Sequence, residues 1–211
     1  MPSQKNGSEG KDDVSKLDYD RLEALFDTFT RRVVRLENLD TYTTEHEAER
    51  LARYLAGQDD KPPVESEWNT QMAAHVAAGR QWAKVHVLRD PTASYFRYAA
   101  EWSWPNSSRY GQDVRILDLV GKPQPPDIPD ADYWVIDDTV VLMYYDSAGV
   151  WQYAELLPPA QAPAYLKGIE AALERSIAFQ TWWDAHPEHH RSAWLHTREN
   201  PSDTTLDGRR T

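Results

Sequence analysis

Apolar and polar positions recur along this chain with two different periods, and the changes of period divide it into elements. Leu22, Leu25, Phe26 and Phe29 are spaced by three and four, which places them on one face of a helix from about Tyr19 to Thr30. Asp18 stands before it as an N-cap, and Leu17 and Leu22 are placed to form a hydrophobic staple. The following RVVRLENL reads as extended. Thr44 and Glu47 then form a capping box for a second helix, which carries Ala48, Leu51 and Leu55 and stops at Gly57. A third helix starts at Ser66, carries Trp68, Met72 and Val76, and ends at Gly79.

The period falls to two at WAKVHVL, residues 82–88, so Ala83, Val85 and Val87 share one strand face while Lys84 and His86 share the other. SYFRYAAEWSW predicts a helix that buries Tyr95 or Phe96, Ala99 and Trp102 and ends at or just before Pro105. DVRILDL at 113–119 is another strand, and the proline-rich GKPQPPDIPDAD at 121–132 is expected to be an extended surface loop. Strands at 133–137 and 140–145 follow, and DSAG at 146–149 turns the chain into WQYAELL, which completes a three-stranded meander. A long helix over about 163–185 comes next, with Leu166, Ile169, Leu173 and Ile177 on one stripe and Trp182 and Trp183 near its end at His186 and Pro187.

Helices clustered at both ends of a run of strands predict an α+β fold: a mainly antiparallel or mixed sheet of about five strands with helices packed on it, in a single domain over residues 16–196. Segments 1–15 and 197–211 hold almost no apolar residues and are expected to be disordered.

Composition narrows the function. A chain of 211 residues can bury roughly 70% of its unfolded surface, and nine Trp, eleven Tyr and four Phe supply the core. With 34 acidic and 23 basic residues the net charge is −11, which disfavours direct nucleic-acid binding, because phosphate backbones are held by clustered Lys and Arg. Cysteine is absent, so disulfides, thiolate chemistry and Cys-based zinc sites are excluded, as suits a cytoplasmic protein. No leader-like apolar stretch opens the chain, and no segment approaches the ~20 apolar residues of a membrane span, so no membrane contact is expected.

Three groups of residues carry candidate chemistry. Asp137 and Asp138 are adjacent carboxylates between two apolar runs, but strand geometry sends neighbours to opposite faces, so a hairpin turn is preferred over an acid/base pair. Asp137 alone stays a candidate if the strand ends before it. Arg35 and Glu37, two apart on a strand, share a face, and Arg80 and Arg97 add positive charge nearby. This group reads either as ion pairs that fix the fold or as a pocket for an anionic ligand or partner, and the first is preferred. His186 and His190 have the spacing of a helical metal pair, yet Pro187 interrupts the helix and no acidic ligand pattern accompanies them, so a solvated tail is preferred. No phosphate loop or nucleophile elbow is present, and neither a catalytic residue nor a cofactor is assigned.

RRVVRLENLDTYTTEHEAERLARYLAG, AAGRQWAKVHVLRDPTASYFRY, YGQDVRILDL, DADYWVIDDTVVLMYYDSAG and WWDAHP, in that order, resemble successive blocks of the actinobacterial domain of unknown function 6879 family, over about residues 22–187. Gln112 stands where the family's Gly-Glu-Asp has its first acid. No activity is implied. The resemblance implies an accessory protein encoded beside helix-turn-helix regulators. The second half is more weakly similar to one half of a phospholipase-D-like domain, whose active members carry a His and a Lys seven and five positions before an Asp. Counting back from Asp137 gives Asp130 and Asp132, and from Asp138 gives Ala131 and Tyr133, so that chemistry is not expected.

The expectation is therefore a non-enzymatic regulatory or protein-interaction module acting through a helix-turn-helix partner, with Trp102, Trp104 and Trp151 as candidate anchors and homodimerisation allowed. Alternatives are a hydrolase or nuclease-like toxin effector using Glu37, Arg80, Asp137 and a histidine, or a small-ligand sensor with an aromatic-lined pocket.

Overall fold

The computed structural model describes residues 16–59 and 66–199. The expected N-terminal tail lies outside the described residues, as does the C-terminal one from residue 200 onward.

One open, mixed sheet of eight strands forms the frame, in the order β1-β7-β6-β5-β2-β3-β4-β8. Its parallel centre is β2 (Arg32–Glu37), β3 (Gln81–Leu88) and β4 (Asp113–Asp118). Parallel neighbours need crossovers. Helices α2 (Glu45–Leu55) and α3 (Glu67–Ala77) supply the first, and α4 (Ser94–Tyr98), a π-helical turn (Ala99–Ser103) and α5 (Trp104–Arg109) supply the second. On the other side of β2 lies the antiparallel meander β5 (Asp132–Ile136), β6 (Thr139–Tyr145) and β7 (Trp151–Leu156), edged by β1 (Lys16–Leu17). The sheet is thus α+β and mixed, with three more strands than the five expected.

Caps start the helices as their sequences suggest. The carboxylate of Asp18 accepts from Arg21 N at 2.9 Å to open α1 (Tyr19–Thr28), Thr44 Oγ1 accepts from Glu47 N at 3.2 Å for α2, and Ser66 Oγ accepts from Asn69 N at 3.1 Å for α3.

Two expectations about helices are corrected. Pro105 does not end its helix. Trp104 donates to Ala99 O five residues back, and α5 then carries Pro105 in its first turn, where the missing N–H costs nothing. The long helix predicted over 163–185 is broken: α6 (Ala162–Arg175) stops at an extended Ser176, Ile177–Ala178 form edge strand β8, and α7 (Phe179–Ala185) follows. Arg115 of β4 holds the break, donating to Ser176 Oγ at 2.9 Å and to Ser176 O at 2.7 Å. Ile177 therefore leaves the apolar stripe, pairs with Ile116 and is 45% exposed. A third correction concerns the C-terminus. A 3₁₀ turn (Pro187–His189) and α8 (Arg191–Glu199) run into the segment expected to be disordered, because Arg191 bonds Gln58, Asp59 and Glu101 and stacks on Tyr54 and Trp102.

The two faces of the sheet are built differently. Val34, Leu36, Val85, Val87 and Val135 point to one face and bury against Ile169 and Ala172 of α6, an ordinary apolar layer. The opposite face is covered by the crossover helices with α1 and α7, and its packing is split into two aromatic clusters. One gathers Phe26, Phe29, Trp82 and Trp134, the other Tyr54, Phe96, Trp104 and Trp182.

Candidate functional site

Between those clusters the sheet carries a band of buried polar side chains. Period two places Val33, Arg35 and Glu37 of β2 on the same face, and Trp82, Lys84, His86 and Leu88 of β3 beside them. Parallel register sets Arg35 opposite Lys84 and Glu37 opposite His86, while antiparallel β5 sets Trp134 opposite Arg35. Asp132, two residues before Trp134, completes the band.

Its ionic contacts are dense. Arg35 Nε lies 3.4 Å from Glu37 Oε1, and Arg35 Nη2 donates to Asp132 Oδ1 at 3.1 Å and to the Tyr145 hydroxyl at 2.6 Å. Lys84 Nζ bonds Glu37 Oε1 at 2.8 Å. Tyr42 OH donates to Asp132 at 2.8 Å and accepts from Leu39 N, and Asn38 N donates to Asp132 Oδ2 at 3.0 Å. The Arg35 guanidinium also stands over the rings of Trp134, Tyr42 and Tyr145, at 4.9 to 5.9 Å. These side chains are deeply buried: Arg35 is 7%, Glu37 4%, Asp132 6% and His86 0% exposed.

The environment sets the charge states. Burial alone would raise the Glu37 pKa, but Lys84 beside it, with His86 and Arg35, outweighs burial and holds the carboxyl well below its usual range. At Asp132 burial wins over Arg35 and Tyr42, and the pKa rises. Glu47 is likewise pushed up, chiefly by burial.

A cleft of about 430 Å³ opens onto this band between α1 and α3 on one side and α2, α4 and α5 on the other. Arg35, Glu37 and Lys84 form its charged floor, and Glu47, Ser107 and Gln112 stand at its sides. Tyr42, Tyr95, Tyr145, Trp68, Trp134 and Trp151 give it aromatic walls. Trp151 carries a buried indole N–H that has no hydrogen-bond partner among the described residues, and Glu37 Oε2 is likewise without one. His86 Nδ1 is 3.5 Å from Glu37 Oε2, too long for an effective hydrogen bond.

The residues singled out in the sequence are thus divided. Arg35 and Glu37 meet on the floor of the cleft. Arg80 and Arg97 do not join them: Arg80 stacks over Phe29 at 5.3 Å and Arg97 over Trp194 at 5.3 Å, so Lys84 supplies the second positive charge instead. Asp137 lies apart, beside the start of β2. It forms with Asp138 the two-residue loop between β5 and β6, at φ +54°, and its carboxylate accepts from the N–H groups of Thr30, Arg31 and Arg32 at 2.8 to 3.0 Å. Of the four groups proposed for a hydrolytic site, Glu37 and a histidine converge, and Arg80 and Asp137 are dispersed.

His186 and His190 do not face one another as a metal pair. His186 Nδ1 donates to Trp182 O at 2.7 Å with its ring stacked on Trp182, and His190 Nε2 bonds Trp183 O at 2.9 Å with its ring on Trp183. The segment is packed against α7, not a solvated tail. Among the expected surface anchors, Trp104 is 1% exposed and belongs to the core, whereas Trp151 lines the cleft.

Sequence reasoning missed Asp132, Tyr42 and Tyr145, which come from the first position of β5, the segment between β2 and α2, and the last position of β6. Lys84 and His86 left a signal, two polar residues alternating with valines, but nothing in it said that their face is covered.

No curated protein matches the chain. Among solved structures, an archaeal chromatin protein, TrmBL2, described as showing a novel mode of DNA binding, is similar at a TM-score of 0.40 and 9% identity, over 74% of this chain and 49% of that one. The chain spans about half the length of that protein. The family described as "Domain of unknown function (DUF6879)" matches residues 20–184. That match covers most of the chain and takes in the whole polar band, so the protein belongs to the domain of unknown function 6879 family.

Proposed function

We propose that this chain is a small-ligand-binding regulatory module whose sensor site is the cleft above Arg35, Glu37 and Lys84. One observation carries the reading: a sheet face that would pack well with apolar residues holds a buried charged band that opens into an aromatic-walled cleft. Replacing buried ion pairs by apolar groups is often neutral or stabilising, so their presence is unexplained by packing alone. A volume of about 430 Å³ lies in the range of small-molecule sites, roughly 300 to 1,000 Å³.

A thermal-shift screen of small organic molecules tests this. A compound at 100 times its Kd stabilises by about 2.7 kcal/mol, which raises the melting temperature by roughly 5 to 10 °C in a chain of this size. Hits are expected to lose this effect in Met143→Trp, where a larger ring fills the cleft from β6. Hits unaffected by that substitution, or a screen without hits, would overturn the reading.

Net charge supports a second role, the transmission of the bound state to a protein. At −11 the chain complements a basic partner such as a helix-turn-helix regulator, for which charge would speed association. Co-purification from the native cell, lost above about 0.5 M salt, is the expected result.

A further inference from the structure

We infer that the cleft takes an electrically neutral ligand with a flat apolar body and a hydrogen-bond acceptor such as an amide, ester or lactone carbonyl. This rests on the reading of the cleft as a ligand site, and it follows from two balances that point in opposite directions.

The first is charge. Arg35 and Lys84 carry two positive charges, and they are already matched by Glu37 and Asp132, with Glu47 as a third carboxyl at the wall. An anionic ligand would therefore add negative charge to a buried cluster that has no cation left unmatched, and it would lie close to Glu37. Uncompensated charge in a desolvated site is strongly unfavourable.

The second is hydrogen-bonding capacity. Lys84 Nζ has a single hydrogen-bonded carboxylate partner, Glu37, among the described residues, which leaves N–H directions open. Among the described residues, Arg35 Nε makes no hydrogen bond of good geometry, and the buried Trp151 N–H has no partner. The groups seeking partners are thus these donors together with one acceptor, Glu37 Oε2. A cationic ligand could reach Glu37 Oε2, but it would set a further positive charge beside Arg35 and Lys84 and would offer their open N–H groups nothing to donate to. A neutral carbonyl satisfies them without changing the charge sum, and Trp68, Trp134 and Tyr95 offer flat apolar surface to the rest of the molecule.

Three probes of nearly equal shape separate the cases: 2-naphthamide (neutral), 2-naphthoate (anionic) and 2-naphthamidinium (cationic), titrated into the full chain at pH 7 by calorimetry and ligand-observed NMR. 2-Naphthamide is expected to bind about tenfold or more tightly than either charged probe, since a single misplaced charge costs at least that factor. Trp151→Phe removes the indole N–H together with part of the ring, so unsubstituted naphthalene serves as the control for the lost apolar area, and 2-naphthamide should be weakened by roughly fivefold more than naphthalene, the value of one hydrogen bond. Lys84→Met should weaken the amide more strongly, with an unfolding curve confirming that the variant is folded. Tighter binding of the naphthoate or the naphthamidinium would overturn the neutral-ligand inference and leave the cleft a ligand site. Failure of all three probes to bind would count against both.

Discussion

Asp137 offers the sharpest test of how the sheet is held together. Its carboxylate accepts four hydrogen bonds, from Thr30 N at 2.8 Å, Thr30 Oγ1 at 3.1 Å, Arg31 N at 2.8 Å and Arg32 N at 3.0 Å, and so fastens the β5–β6 loop to the start of β2 across more than a hundred residues of sequence. Hydrogen bonds to a charged acceptor are worth about 1.5 to 3 kcal/mol each. The side chain is 24% exposed, so water replaces part of what a mutation removes, and the four together should contribute about 2 to 4 kcal/mol. Backbone strain adds a second effect, because Asp137 holds φ +54°, which Asp tolerates better than Ala. Three variants separate the two. Asp137→Asn keeps an acceptor oxygen and tolerates the backbone, and should lose about 1 to 2 kcal/mol. Asp137→Gly loses the bonds but not the conformation, at about 2 to 4 kcal/mol, and Asp137→Ala loses both, about 1 kcal/mol more. Urea unfolding, with the m-value checked for constancy, gives each number. An alanine variant within about 0.5 kcal/mol of the parent, or no worse than glycine, would refute the reasoning.

Further predictions concern pH, the charged band and two glycines. Burial opposes but does not overcome the N–H groups of Arg32, Thr30 and Arg31, which hold the Asp137 pKa at about 2 against an ordinary 3.8. Since the folded value is the lower one, the ionised form favours the fold: the contribution is full above about pH 4 and is lost as pH falls through about 2, so Asp137→Asn should flatten the acid limb of stability measured by urea titration. Glu37→Gln leaves Lys84 and Arg35 short of their shared carboxylate and should cost about 3 to 5 kcal/mol, much of it recovered in the double variant with Lys84→Met; additive losses in the unfolding cycle would contradict the coupling. Gly149→Ala should destabilise by more than about 2 kcal/mol, because a Cβ there would meet Thr41 O at 2.4 Å at φ +76°. Gly79→Ala, at φ +82° with nothing within 4 Å, should cost only about 1 kcal/mol, and equal melting temperatures for the two would sink the steric account.

Local order was legible in the sequence wherever it depends on neighbours along the chain. Asp18, Thr44 and Ser66 cap their helices because a side-chain oxygen three residues before an N–H needs nothing else to find it. The period of two in WAKVHVL and RVVRLENL set which residues share a face, and Arg35 was placed beside Glu37 on that ground alone. Ser176 shows where local reading stops: its helix breaks because Arg115, far away in sequence, grips its hydroxyl and carbonyl.

The site follows the same division. Sequence by itself determined that Arg35 and Glu37 share one face of their strand and Lys84 and His86 one face of theirs, and an alternating strand with a polar face normally turns it to water. Only the tertiary structure decided that this face is buried, because the parallel centre of the sheet requires crossovers and their helices lie on it. The same packing delivered Asp132, Tyr42 and Tyr145 to Arg35 from separate parts of the chain, through contacts that span 90 to 110 residues and leave no local pattern to read.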